Sequence, residues 1–412
     1  MTTTIAVIGS LDTKASELEY MEKEIQRMHC NTLLFDISGL EHSVTSPKAD
    51  ITNKQLAAAA GYSWDEVRKQ PKNKILDIIT EGLRIKVSEY YKKGAFQGII
   101  SAGGMQNTMI SKTAMMELPY GFPKINIAAS MSVVEIDNAL GRTDDVSTIN
   151  SIADIGGGVN EITGRIITEG VAALVGMMQY GRGEMNKIDK PIIGITNLGV
   201  ISEGTTKINQ YLKEDGYESC MFHGTMHGAV LEKLVREGVI SGVMMLCVHD
   251  ILTEALDKYR FCDVPVLKAP AEMKIPTIIS LSGMDVIDIS DKEFTPENFP
   301  DIETRKYHYH NDICVHVKTT KEEILKGGEL LAERLNAFTS PVTVLMPLKG
   351  FRTFTREGEP LYDPEVDGAL IRYLHENLNP SIRIVEVDAN ANDEKFARTA
   401  VSEMERLLNR RN

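Results

Sequence analysis

Short apolar runs alternate with longer amphipathic ones along nearly the whole chain, and no other feature limits its folding as much. In the first half "TIAVIGS", "NTLLFDIS", "FQGIISAGG" and "KINIAAS" read as buried strands. Between them lie segments such as "KASELEYMEKEIQRM" and "NKILDIITEGLRIKVSEYYKKG", whose apolar residues recur at helical spacing. Gly94 closes the second of these as a helix C-cap, and residues 39–72 read as irregular. The second half repeats the rhythm with "PIIGITN", "ESCMFHG", "SGVMMLCVHD", "IPTIISLSG", "VTVLMPLKG" and "IRIVEVDAN". Strands that alternate with helices form parallel sheets with crossover connections. The polar stretch "YGRGEMNKIDK" separates the halves. The pattern predicts two doubly wound α/β domains with mostly parallel sheets, near residues 1–185 and 190–412. A chain of 412 residues is also too long for a single core.

The rest of the composition mainly excludes. A net charge of −13 argues against a nucleic-acid partner, which selects a basic face. No window is apolar long enough to span a membrane, and the start of the chain has no signal-peptide pattern. The five cysteines, Cys30, Cys220, Cys247, Cys262 and Cys314, are widely spaced with no CxxC pair. That favours a reducing, cytoplasmic setting over a zinc ribbon or a disulfide framework. Homo-oligomerisation is expected from the frequency of symmetric assemblies among soluble enzymes.

In parallel α/β sheets ligands bind beyond the carboxyl ends of the strands. The strand pattern therefore doubles as a search for a site in the cleft there. Five of the nine histidines fall at three such places: His223 and His227 in "FHGTMHG", His249 in "CVHD", and His308 and His310 in "YHYHND". His223 and His227 are four apart, but the strand ends between them, so they are not a pair on one helix face. His308 and His310 alternate on an extended segment and share a side. A divalent metal needs several converging N and O ligands and an open position. His223, His249, Asp250 and His310 are the candidate ligands, with manganese or zinc as the ion. His227 and His308 are candidate acid/base groups, and Lys349 a candidate stabiliser of negative charge. Each of these residues also reads as an ordinary polar member of a loop. Cys247 stands two before His249, but nothing around it marks a nucleophile, and a buried cysteine is usually structural.

The first half offers a different chemistry. "SAGGMQNTM" could wrap a phosphate at a helix N-terminus, or could be a tight strand-to-helix turn. "SLDTK" puts Asp12 and Lys14 after the first strand, and Asp12 reads equally well as a helix N-cap. "IGGGVNE" adds three glycines that either contact a phosphate or permit close packing.

Several blocks in order resemble one family, that of the ATP-binding N-terminal region of the tomato mosaic virus resistance protein of tomato. They are "LDTKASE", "SAGGMQNT", "GRTDDVSTINSIADIGGGVNEIT", "GYESCMFHGTMHGAVLEKLVREG", "YHYHND", "GFRTFTREGEPLYDPEVDGAL" and "VDANANDEKFA". The resemblance implies two Rossmann-like subdomains and an ATP site at Asp12, Lys14, Gly103, Gly104 and Thr108. Where the family has a loop of the Gly-Gly-Ser-Gly-Gly-Thr type, this chain places Met105, Gln106 and Asn107 before Thr108. Those side chains crowd the backbone approach a phosphate needs. His227 and His249 are imidazoles added to the family's pattern.

Three functions of different class follow. The first is a metal-dependent hydrolase that cleaves a C–C bond in a small β-dicarbonyl compound, whose two oxygens can chelate one ion. The second is an ATP-binding protein without hydrolase activity. The third is a protein-binding scaffold.

Overall fold

The computed structural model describes residues 3–40, 47–129, 140, 144–181, 190–225, 227–259 and 264–409. It divides into two compact units, one of residues 1–140 and 144–188 and one formed essentially by residues 189–412. The linker residues 182–189, where sequence places the boundary, and Cys262 lie outside the described residues.

The first unit is a five-stranded parallel sheet in the order β2-β1-β3-β4-β5. Its strands are β1 (Thr4–Gly9), β2 (Asn31–Asp36), β3 (Gly98–Gly103), β4 (Lys124–Ala128) and β5 (Ser147–Asn150). Every expected strand of this half forms, and β5 is added at the edge. Side chains alternate across β1: Ile5 and Val7 enter one core and Ala6 and Ile8 the other. Burial on both faces is why such strands read as unbroken apolar runs. Helices Leu11–Arg27 and Glu161–Tyr180 cover one face, and Lys72–Lys92 and Met105–Met115 the other. Residues 39–72 are less irregular than sequence implies, since they contain helices Asn53–Ala59 and Trp64–Val67, each opened by a capping box. Gly94 takes φ +68°, the left-handed conformation expected of the residue that ends a helix.

The second unit repeats the design with six parallel strands in the order β14-β13-β9-β8-β6-β7. They are β6 (Ile192–Asn197), β7 (Glu218–His223), β8 (Gly242–Cys247), β9 (Thr277–Ser282), β13 (Val342–Pro347) and β14 (Arg383–Val387). These are the six runs read from sequence. In β8, Val243 and Met245 pack into one core, and Met244 and Leu246 into the other. The connection from β6 to β7 runs one way along the sheet, and the next, from β7 to β8, crosses back past β6 and runs the other way. That reversal opens a crevice at the carboxyl ends.

One element was not anticipated. Between β9 and β13 the chain forms a three-stranded antiparallel sheet, β10-β12-β11, from β10 (Val286–Ser290), β11 (Tyr307–Asn311) and β12 (Cys314–Lys318). Its sequence alternates with period two. Ile287, Ile289, Val315 and Val317 enter the core. Asp288, His308 and His316 face the other way, because Asp288 pairs with His316 and His316 with His308 directly across the strands.

Among the described residues, no helix is long and apolar enough to cross a membrane. Cys30, Cys220, Cys247 and Cys314 are free thiols.

Candidate functional site

The small antiparallel sheet makes the second unit's polar centre. A cavity of about 360 Å³ lies at the carboxyl ends of β6 and β7, beneath this sheet. Leu198, Val200, Ile289 and Ile313 give it apolar walls. His223, Asp288, His310 and His316 bring chemistry to it.

His316 is the best placed of these. It is only 5% exposed, and its Nδ1 lies 2.5 Å from Asp288 Oδ1. A carboxylate accepts, so Nδ1 carries a proton, and in the neutral ring Nε2 is left with a lone pair. That Nε2 has no hydrogen-bond partner in the protein, although it is buried. A histidine backed by a carboxylate, with its other nitrogen unpartnered at the wall of a cavity, is the arrangement of a general base or of an oriented ligand.

Asp288 is held as an anion. Burial works against its charge, but Arg352 and the hydrogen bond from His316 outweigh that and hold its carboxyl well below the usual range. Arg352 is fully buried, with Nε 3.2 Å from Asp285 Oδ1 and Nη1 3.3 Å from Asp288 Oδ1. Both contacts are charge-assisted, which compensates the cost of removing three charges from water. Behind the imidazoles stands Phe354, whose ring centroid lies 4.4 Å from that of His308, 5.6 Å from His316 and 6.3 Å from His310. The expected shared side of His308 and His310 is thus realised, on one aromatic plate.

Not all the residues singled out in the sequence meet here. His223 and His310 do, both on the cavity wall. Thr225 Oγ1 lies 2.9 Å from His223 Nδ1 and leaves the other nitrogen available. Burial, with His316 beside it, lowers the pKa of His310 and favours its neutral ring. His249 is a correction. It is fully buried, does not line the cavity, and its Nε2 accepts the Asp288 backbone N–H at 3.2 Å, so that lone pair is already used. Burial pushes its pKa down to about 4 and keeps it neutral. Asp250 is a second correction: it is buried in the first turn of helix His249–Leu256, away from the cavity, with its pKa pushed up to about 7 by burial. His227 accepts the His223 backbone N–H through Nδ1 at 3.0 Å, and His308 packs on Phe354; neither lines the cavity. Lys349 pairs with Asp388 at 3.0 Å on the surface, outside the cavity. The four expected metal ligands therefore do not converge. Among the described residues no group of three or more His, Cys, Asp or Glu side chains is spaced to hold a metal ion. Cys247 is structural: it packs under Gly224, and burial raises its thiol to about 12.

In the first unit, Lys14 Nζ occupies the space a Cβ on Gly156 would need, and Gly158 N–H donates to Glu17 Oε1 at 2.9 Å. The space beside Gly104, at the head of helix Met105–Met115, is open. Asp12 lies inside the first turn of its helix and is not the N-cap, which is Ser10. That helix end is met instead by Asp36, accepting from Leu11 N–H, and Ser38, accepting from Asp12 N–H. Thr108 is 1% exposed, and a Cβ on Gly103 would meet the Asn107 side chain.

Comparison with known proteins identifies the chain's relatives. Residues 3–183 match the N-terminal domain, and residues 190–408 the C-terminal domain, of the Uncharacterised protein family UPF0261. The chain belongs to this family. A UPF0261 protein of Clostridium tetani is 30% identical, over 95% of this chain and 96% of its own length. The ToMV resistance protein Tm-1(GCR237) of Solanum lycopersicum is 27% identical over 96% of the chain, which spans 54% of that protein. The resemblance to the tomato family seen in the sequence is thereby shown. Among solved structures, a UDP-N-acetylglucosamine 2-epimerase overlaps 92% of each chain at 8% identity with a TM-score of 0.25. So slight a likeness carries nothing about function.

Proposed function

We propose that this UPF0261 protein is a metal-dependent hydrolase that cleaves a carbon–carbon bond in a small β-dicarbonyl compound. The observation that carries the reading is the lone pair of His316 Nε2, buried, without a protein partner and backed by Asp288, at a small cavity with apolar walls. His316 takes a proton from water as the oxygen adds to one carbonyl carbon. The bond from that carbon to the central carbon then breaks, and its electron pair becomes the enolate of the second carbonyl. His316 returns the proton to the central carbon, so a carboxylic acid and a ketone leave, at the expense of one water.

His223 and His310 are the two imidazoles on the cavity wall that would be the protein's contribution to a divalent ion, manganese or zinc; the described His, Cys, Asp and Glu side chains supply no third donor beside them. The ion would polarise the attacked carbonyl and spread the enolate's charge. Leu198, Val200, Ile289 and Ile313 give the cavity apolar walls that suit the carbon skeleton.

The test is hydrolysis of 1,3-cyclohexanedione and open-chain 1,3-diketones by purified protein, followed as acid released, with manganese or zinc supplied and then chelated. His316→Ala is expected to lower kcat by about 10²–10⁴. Turnover that survives chelation, or that survives the substitution, overturns the reading, as does the absence of turnover on every diketone tried.

A second reading, ATP binding in the first unit, is favoured by Lys14 lying over the Gly156–Gly158 turn and by the open space at Gly104. A rise in melting temperature with millimolar ATP would support it, and no rise would remove it.

A further inference from the structure

We propose that Arg352 is a positioning residue that decides which nitrogen of His316 carries the proton. The inference rests on the reading of His316 as the base and adds the group that keeps it one.

A neutral imidazole carries one proton, and the hydrogen bond made by one nitrogen fixes the state of the other. His316 Nδ1 has its partner in Asp288 Oδ1, the same oxygen that Arg352 Nη1 approaches at 3.3 Å. The guanidinium therefore supplies both the counter-charge and the aim of that oxygen. Its own place is rigid. Arg352 Nε is tied to Asp285 Oδ1, and the backbone on either side is pinned from three directions. Ser282 donates to Phe351 O, Asn390 Nδ2 donates to the carbonyls of Gly350 and Arg352 at 2.8 and 3.1 Å, and Thr353 Oγ1 donates to Val200 O at 2.9 Å. Gly350, at φ +94°, makes the turn that allows this, and a Cβ there would meet the Thr355 carbonyl. An arginine so firmly held, buried and outside the cavity lining, is not placed to touch a ligand in that cavity. Its Nε and Nη1 are taken by Asp285 and Asp288. Without it, Asp288 loses its counter-charge and its aim, and either nitrogen of His316 can carry the proton.

The experiment reads the tautomer directly, by two-bond ¹H–¹⁵N correlation of the histidine rings in the intact protein. His316 is assigned by its loss in His316→Gln. The wild type is expected to show Nδ1–H, and Arg352→Met a mixture or Nε2–H. In activity, Arg352→Met is expected to lose about a hundredfold in kcat with KM within about twofold, and Arg352→Lys to recover part of it. Asp285→Asn, which loosens the guanidinium without emptying its place, is expected to shift the tautomer less, in the same direction. It decides the matter if Arg352→Met does not fold. A wild type with Nε2–H, or variants with the wild-type tautomer, overturns the proposal. The tautomer needs no substrate. If no diketone is turned over, the proposed reaction falls while this result stands; if turnover is normal and the tautomer is unmoved in the variants, only the role of Arg352 falls.

Discussion

His249 and His316 both hydrogen-bond to Asp288, in opposite senses. His316 Nδ1–H donates to the Asp288 carboxylate, whereas His249 Nε2 accepts from the Asp288 backbone N–H. The second arrangement needs a neutral ring, and its pKa is pushed down to about 4 chiefly by burial, with Arg352 and His316 adding to that. Because this folded-state value lies below the ordinary 6.5, the stability His249 contributes is present above pH 6.5 and is lost as pH falls through about 4. Asp250 behaves in the reverse sense. Burial, with Glu254 nearby, raises it from 3.8 to about 7, so its contribution is present below pH 3.8 and is lost as pH rises through about 7. Asp250→Asn is therefore expected to gain on the wild type as pH rises from 4 to 8, by up to roughly 4 kcal/mol. It is also expected to be the more acid-sensitive protein, since the opposing trend is gone. Urea midpoints across that pH range check both. At this scale the sequence showed that His223 and His310 stand at strand ends. It could not show Asp288, His316 or Arg352, because residues 288, 316 and 352 are joined by no local spacing.

The element that brings them together is the antiparallel sheet, and its join to the parallel one is narrow. Gly283 turns the chain from β9 into β10 at φ +92°, and a Cβ there would fall 2.7 Å from the His249 backbone nitrogen. Gly283→Ala is expected to cost about 2 kcal/mol or more, from strain at positive φ and from displacing His249. Diketone turnover should fall with it, because His249 accepts from the same residue whose carboxylate orients His316. A melting curve and a kcat measurement on one preparation test this. The alternation in "DVIDIS" and "ICVHVK" was a legible strand signal. The longer apolar runs on either side fit the parallel pattern by themselves, and a short half-buried strand carries few residues to reveal its period.

At the scale of the molecule, each unit is a parallel sheet with a reversal of winding direction, and each offers polar groups at its strand ends. The two candidate chemistries are therefore separable by substitution. Lys14→Met is expected to abolish any ATP-induced rise in melting temperature, and His316→Ala to leave that rise intact; thermal shifts with and without ATP on both variants decide it. Ten of the eleven parallel strands and the division into two α/β halves are legible in the sequence alone, the short edge strand β5 being the exception. Those features follow from periods of two and 3.6 residues and from turn residues, which act within a few positions. Only the tertiary structure decided which strand ends carry a site, which histidines have spent their lone pairs on the backbone, and which carboxylate stands behind the remaining one. Those depend on cross-strand register and on pairs far apart in the chain, such as Asp288 with His316 and with Arg352, that meet only once the sheets have packed.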